Sequence, residues 1–159
     1  MGVYSFLDVS VSIVGPGVNA QIEGPTPGSE QIGSGAGVSN EGVTIAFDEP
    51  KNMVTTGADG SIMQSLRAGQ TGKMTIRLLK TSPINGVLSQ AYAAQRQSAA
   101  NWAQNIIVLT NNVLGDVAEG QQMAFEKYPD NTYAENGNVL DWVFTGVLDE
   151  LLGMGAPTI

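Results

Sequence analysis

The chain has 159 residues and a formal net charge of −8, from 15 acidic and 7 basic side chains, with no His and no Cys. That inventory excludes Ser-His-Asp and Cys-His triads, thiolate nucleophiles, disulfides, and zinc or iron–sulfur centres built on His and Cys. It also makes a poor grip for nucleic-acid phosphates, because so acidic a chain gains little from counterion release.

In chain order the pattern is mostly β. Leu7, Val9, Val11 and Ile13 alternate with Asp8, Ser10 and Ser12, which predicts a half-buried strand. Gly15-Pro16-Gly17 predicts a turn, and residues 18–23 a returning strand. Residues 24–42 are rich in Gly, with Pro25 and Pro27, and read as an extended loop or arm longer than an ordinary connection. Val43, Ile45 and Phe47 alternate with Thr44, Ala46 and Asp48 in the next strand. Glu49-Pro50 breaks it, residues 52–56 answer it, and Asp59-Gly60 marks a turn. Ile62, Gln64 and Leu66 share one face. Met74, Ile76 and Leu78 then point inward, with Lys73, Thr75, Arg77 and Leu79 outward. Together with Arg67, this reads as a hairpin with a basic outer face.

One helix is predicted over 83–101, with Ser82 as N-cap, Pro83 at the first position and a stripe through Ile84, Val87, Leu88, Ala91, Tyr92, Gln95, Ala99 and Trp102. Residues 105–111 contain the run Ile106-Ile107-Val108-Leu109, the mark of a strand buried on both faces. Residues 115–128 have room for two short strands around Gly120. Leu140, Trp142 and Phe144 then oppose Asp141, Val143 and Thr145 in a long last strand. Residues 153–159 form a C-terminal tail. About nine strands and one helix predict a mainly β (α+β) single domain over 1–159: an antiparallel β-barrel or two-sheet sandwich with one flanking α-helix.

Charged residues are only 14% of the chain, against ~25% in ordinary soluble domains. Two readings follow: a subunit that buries its outside against copies of itself, or a Gly-, Ser- and Asn-rich surface that is polar without charge. The charge is regional. Residues 1–50 hold six acids and no base; 51–111 hold six bases and one acid; 112–159 hold eight acids and one base. A basic face can meet an acidic face on a neighbouring copy, or the middle strands can pair with the terminal ones inside one chain. No secretory signal is expected, since residues 1–15 lack Lys and Arg and carry Asp8. Phe6 stands where N-myristoylation needs Ser or Thr, and no apolar run reaches the ~18 residues of a membrane helix.

Motifs for chemistry fail on context. Gly69-Gln70-Thr71-Gly72-Lys73-Met74 lacks the spacing and the hydroxyl residue after Lys that a phosphate loop needs. Gly33-Ser34-Gly35-Ala36-Gly37 precedes a strand pattern, not the helix of a dinucleotide site. Asp59-Gly60-Ser61 is a turn. Residues 130–137 have calcium-loop composition, but Thr132 and Ala134 miss the ligand positions. Carboxylates such as Asp48, Glu49, Asp141, Asp149 and Glu150 are the only acid–base groups on offer, and low aromatic content speaks against a sugar site. No enzyme, cofactor or metal site is expected.

Five segments carry a resemblance: Tyr4-Ser5-Phe6-Leu7-Asp8-Val9, Gly15-Pro16-Gly17, Gly57-Ala58-Asp59-Gly60-Ser61-Ile62-Met63, Arg77-Leu78-Leu79-Lys80-Thr81-Ser82-Pro83 and Ala124-Phe125-Glu126-Lys127-Tyr128-Pro129. In these the chain resembles the tail tube proteins of contractile-tailed bacteriophages, the family that includes the KPP10-like phage structural protein. Gln64 departs from it, standing where His is expected. The resemblance implies a structural virion protein of the tail, assembled in the host cytoplasm. It implies hexameric rings stacked into a hollow tube, with sheath, baseplate and tape-measure proteins as partners. DNA then passes through the lumen without specific binding, and no membrane is involved. A long loop is implied to bridge to the next ring. The first candidate is 24–42, with Glu30, Gly33, Gly35 and Gly37; the second is 49–61, with Asp59 and Gly60. Arg67, Lys73 and Arg77 are candidate assembly residues on the basic face. The alternatives are another ring-forming part, such as a baseplate ring or secretion tube, or a monomeric ligand-binding β-sandwich.

Overall fold

The computed structural model describes residues 9–16, 18–23, 38–111 and 114–153. Among these residues nine strands and one helix run in the order β1 (Val9–Gly15), β2 (Val18–Glu23), β3 (Val38–Phe47), β4 (Asn52–Thr56), β5 (Ile62–Leu66), β6 (Thr71–Leu79), α1 (Ile84–Gln95), β7 (Asn105–Asn111), β8 (Asp116–Phe125) and β9 (Val139–Leu151). Seven strands form one antiparallel sheet in the order β2-β1-β7-β8-β9-β6-β3; β4 and β5 pair separately. Among the described residues the large sheet curls into a half-barrel and does not close, so β2 and β3 are its edges.

Period-two alternation decides which face is buried. Val11 and Ile13, Met74, Ile76 and Leu78, Ile107, Met123 and Phe125, and Trp142, Phe144 and Leu148 all turn to one face and are buried. On that face lies α1, which contributes Ile84, Leu88, Ala91 and Gln95. Aromatic rings lock helix to sheet. Tyr92 meets Phe125 and Tyr128 edge-on, both at 5.5 Å between centroids, and Tyr128 in turn meets Trp142 at 5.5 Å. Trp142 Nε1 donates to Asn85 Oδ1 at 3.0 Å, tying the first turn of α1 to β9.

The helix stops at Gln95, short of the predicted 101. Ser98 competes for the backbone: its hydroxyl accepts from the Ala100 N–H, and its carbonyl from the Asn101 N–H. The resulting turns bring Trp102 back against Tyr92. Gln95 itself is fully buried and forms a reciprocal amide pair with Asn105. Gln95 Nε2 donates to Asn105 Oδ1 at 2.8 Å, and Asn105 Nδ2 donates to Gln95 Oε1 at 2.9 Å. The spare hydrogens go to the Pro16 and Met123 carbonyls. Asn105→Leu therefore strands the Gln95 amide and the Met123 carbonyl. It is expected to cost about 1–3 kcal/mol for each buried group left unpaired, read as a lower urea midpoint.

Other strand expectations change in detail. Residues 38–42 belong to β3, not to the arm; 24–37 lie outside the described residues. A register shift between Val38 and Val43 is accommodated at Gly42, whose φ of 67° suits glycine. Residues 116–125 are one strand, not two, bent at a bulge where Gln122 has φ 53°. β7 is buried on one face only, with Ile106 exposed on the other. β5 pairs with β4, not with β6, so the expected basic hairpin of 62–79 does not exist.

The registers give the sheet two distinct ends. Phe47 lies opposite Gly72, Thr71 opposite Val147, Val117 opposite Leu151, and Asn111 opposite both Asp116 and Val9. The β4–β5 hairpin leaves from this end, between Phe47 and Thr71. The opposite end gathers Gly15, Asn105, Leu79 and Val139, together with the segment 126–138. Among the described residues no helix is long and apolar enough to cross a membrane.

Candidate functional site

The described surface offers an unpartnered apolar element rather than a cleft with convergent polar groups. Every residue of β4 is exposed, and so is every residue of β5 except one. Leu66 is 86% exposed, Ile62 63%, Met63 59% and Val54 54%. The register places Val54, Ile62 and Leu66 on one face of the ribbon, with Met53 and Met63 on the other. An isolated two-stranded ribbon is marginal in water, and this one turns apolar side chains outward on both faces.

Its tip is well built. Gly60 N–H donates to the Gly57 carbonyl at 3.0 Å, and Gly60 takes φ 85°, which glycine adopts without strain. Asp59 Oδ1 accepts from the Ser61 hydroxyl at 2.6 Å and from the Ser61 N–H at 3.1 Å. These bonds hold the Asp59 carboxyl below the usual carboxylate range. Asp59-Gly60 thus serves the turn that closes the ribbon.

The remaining candidates do not form one patch. Arg67 sits at the base of the ribbon, 3.7 Å from the Glu49 carboxylate and near Met53 Sδ. Lys73 bonds Glu126 at 2.8 Å across the large sheet, and that carboxylate pushes the ammonium pKa up. Arg77 Nη1 donates to Thr44 Oγ1 at 2.7 Å, and the Arg77 position pairs with Asp141. So Lys73 and Arg77 lie on β6 while Arg67 lies on the separate ribbon. Lys73 of the middle segment thereby meets an acid of the last segment inside one chain, and Arg77 lies across from another. Glu30, Gly33, Gly35 and Gly37 lie outside the described residues.

The face of the large sheet turned away from α1 carries Ser10, Ser12, Thr110, Thr75 and Thr145 between scattered charges. Ser10 and Thr110 hydroxyls bond across β1 and β7 at 2.8 Å. Glu119 lies directly opposite Asp149, a like-charge pair that destabilises an isolated sheet. Sequence reasoning missed this pair and the exposure of the ribbon. Alternation is the same whether one face is buried or none, so the apolar residues of 52–66 carried no mark of their exposure.

The family model of the bacteriophage PhiTE tail tube protein matches residues 1–153. The chain belongs to the PhiTE tail tube protein family. Two solved structures share the fold of this tail tube protein. One is from the sheath–tube complex of an extracellular contractile injection system, PVC, in the extended state. It has 10% identity and a TM-score of 0.54, over 93% of this chain and 90% of that one. The other is the anti-feeding prophage cap, the AFP tube-terminating cap. It has 10% identity and a TM-score of 0.51, over 94% of this chain and 91% of that one. No curated protein matches the sequence. A tail tube protein is a structural component of the virion tail, and open sheet edges with an apolar ribbon are the equipment of a subunit that assembles.

Proposed function

We propose that this tail tube protein forms hexameric rings that stack into a hollow conduit, within a contractile sheath, for delivery of DNA to the host. The single observation that carries the reading is the β4–β5 ribbon, apolar and exposed on both faces in a chain of the tail tube family. A contact that uses different surfaces on the two partners generates rings or open filaments, which a ring stacked head to tail requires. The edges β2 and β3 are suited to continue the sheet into neighbouring copies within a ring.

The face of the sheet away from α1 then turns to the lumen. Its described charges include Glu119, Glu126, Asp141 and Asp149, with Asp48 at its margin, against Lys73 and Arg77. Glu126 is paired with Lys73 and Asp141 lies across from Arg77, and Glu119 with Asp149 is left to repel phosphates. Assembly takes place in the host cytoplasm. Sheath, baseplate and tape-measure proteins are the further partners, and the role is not enzymatic. The assembly surface runs through Asp59, Gly60 and Arg67 on the ribbon, with the arm that includes Glu30, Gly33, Gly35 and Gly37; Lys73 and Arg77 hold the lumen face. The likeness to a tube-terminating cap favours one second reading, a ring that ends or begins a tube.

Negative-stain imaging of concentrated protein separates these. Long hollow tubes with six-fold end views are the expected result. Isolated rings favour the cap or baseplate reading, and a single 16.6 kDa species at all concentrations overturns both.

A further inference from the structure

The two ends of the large sheet differ in charge. Around the ribbon, Asp48, Glu49 and Asp59 stand against Lys51 and Arg67. The strand ends beside it add Asp116, Glu119, Asp149 and Glu150 and no base. The hairpin end therefore carries a formal −5 among the described side chains. The opposite end holds Lys80, Arg96 and Lys127 against Asp130 and Glu135, a formal +1. Between the ends, Lys73 is paired with Glu126, and Arg77 lies across from Asp141. Lys80 is bound to the Thr132 carbonyl at 2.7 Å and lies over the Tyr133 ring, while the other two bases of this end make looser contacts. Lys127 is 3.4 Å from Asp130 on the surface, and Arg96 stands 5.7 Å over the Tyr92 ring. At the same end of the sheet Val14 and Ile106, cross-strand partners on the face away from α1, are both exposed.

We infer that copies recognise one another end to end by this axial charge difference. In this arrangement the acidic hairpin end of one copy seats on the Arg96 and Lys127 end of the next, and the ribbon lands on the Val14–Ile106 rung. The inference rests on the tail tube reading and names the contact that sets its polarity. Like ends repel, which rejects a copy added upside down; opposite ends attract, so one surface pairing serves every layer.

The test measures the critical concentration for tube formation by the full chain, by sedimentation and negative-stain imaging, with circular dichroism to confirm folding. R96E/K127E turns the opposite end to −3, so that both ends are acidic. It is expected to raise the critical concentration about tenfold or more. R96Q/K127Q is expected to act in the same direction but less. Adding E119K, D149K and E150K to R96E/K127E makes the ends +1 and −3, reversing the polarity, and is expected to restore assembly. Folded R96E/K127E that polymerises at the wild-type concentration overturns this inference alone, as does a folded five-fold variant that stays as defective as R96E/K127E. A wild-type chain that forms no tubes overturns the tail tube reading, and this inference with it.

Discussion

Ile62→Asp combined with Leu66→Asp is expected to leave a folded subunit that no longer assembles. Both side chains stand in solvent on the same face of the β4–β5 ribbon, and neither belongs to the buried cluster between the sheet and α1. Surface changes away from packed features usually alter stability by less than about 0.5 kcal/mol. In the proposed tube the same positions are covered. Each substitution then loses the burial of an aliphatic side chain, about 1.5–3 kcal/mol, and adds an unpaired carboxylate to a desolvated contact. The contact is repeated by every copy, so the loss is multiplied along the tube. Sedimentation should show a soluble species at concentrations where wild type pellets, with an unchanged far-ultraviolet spectrum and thermal midpoint of the dissociated chain. Wild-type pelleting by the doubly charged variant would remove the ribbon from the assembly contact.

Trp142→Ala is expected to have the largest effect on folding, about 3–5 kcal/mol. Trp142 is 1% exposed in the first half of β9, and its ring contacts Phe125 and Tyr128 edge-on. Truncation opens a cavity where three elements meet: β9, β8 and, through Asn85, the start of α1. Asn85 also donates to the Leu79 and Lys80 carbonyls, so the lost indole bond loosens the connection from β6 into the helix. Trp142→Phe keeps most of the apolar volume and gives up the Asn85 bond, so it should cost markedly less. Urea unfolding of the dilute chain measures both, and a Trp142→Ala midpoint equal to wild type would contradict this account of the core.

What the sequence revealed follows from what alternation encodes. In β1, β6 and β9 an apolar residue recurs at every second position along the face that meets the core, so both strand and buried face were readable. Gln95 was placed on the buried helix stripe by its spacing. Its partner Asn105 was not, because ten residues and a change of element separate two amides that meet only when α1 lies on the sheet. Strand pairing was the least readable feature. β9 sits between β8 and β6, and β1 beside β7, so the order depends on distant contacts that no local pattern records. The β4–β5 ribbon shows the opposite limit: local pattern and turn chemistry gave its strands and its tip, while its separation from the sheet depends on where β3 and β6 end. The candidate assembly residues divided accordingly. Asp59 and Gly60 stand on the ribbon tip as the turn signal suggested, whereas grouping Arg67 with Lys73 and Arg77 assumed a pairing between β5 and β6 that does not form.

The same ribbon is a hazard before it is an asset. A newly made subunit shows two short uncharged strands, Asn52–Thr56 and Ile62–Leu66, rich in residues that favour β structure. Segments of this composition stack into unwanted aggregates when they are exposed. Their flanks answer that risk. Glu49 and Lys51 stand before the first strand, Asp59 between the two, and Arg67 directly after the second. Charges in such flanking positions act as gatekeepers against disordered stacking, since an aggregate must bury or align them. Four small electrostatic penalties thus keep the soluble pool usable until an ordered tube end is there to receive it.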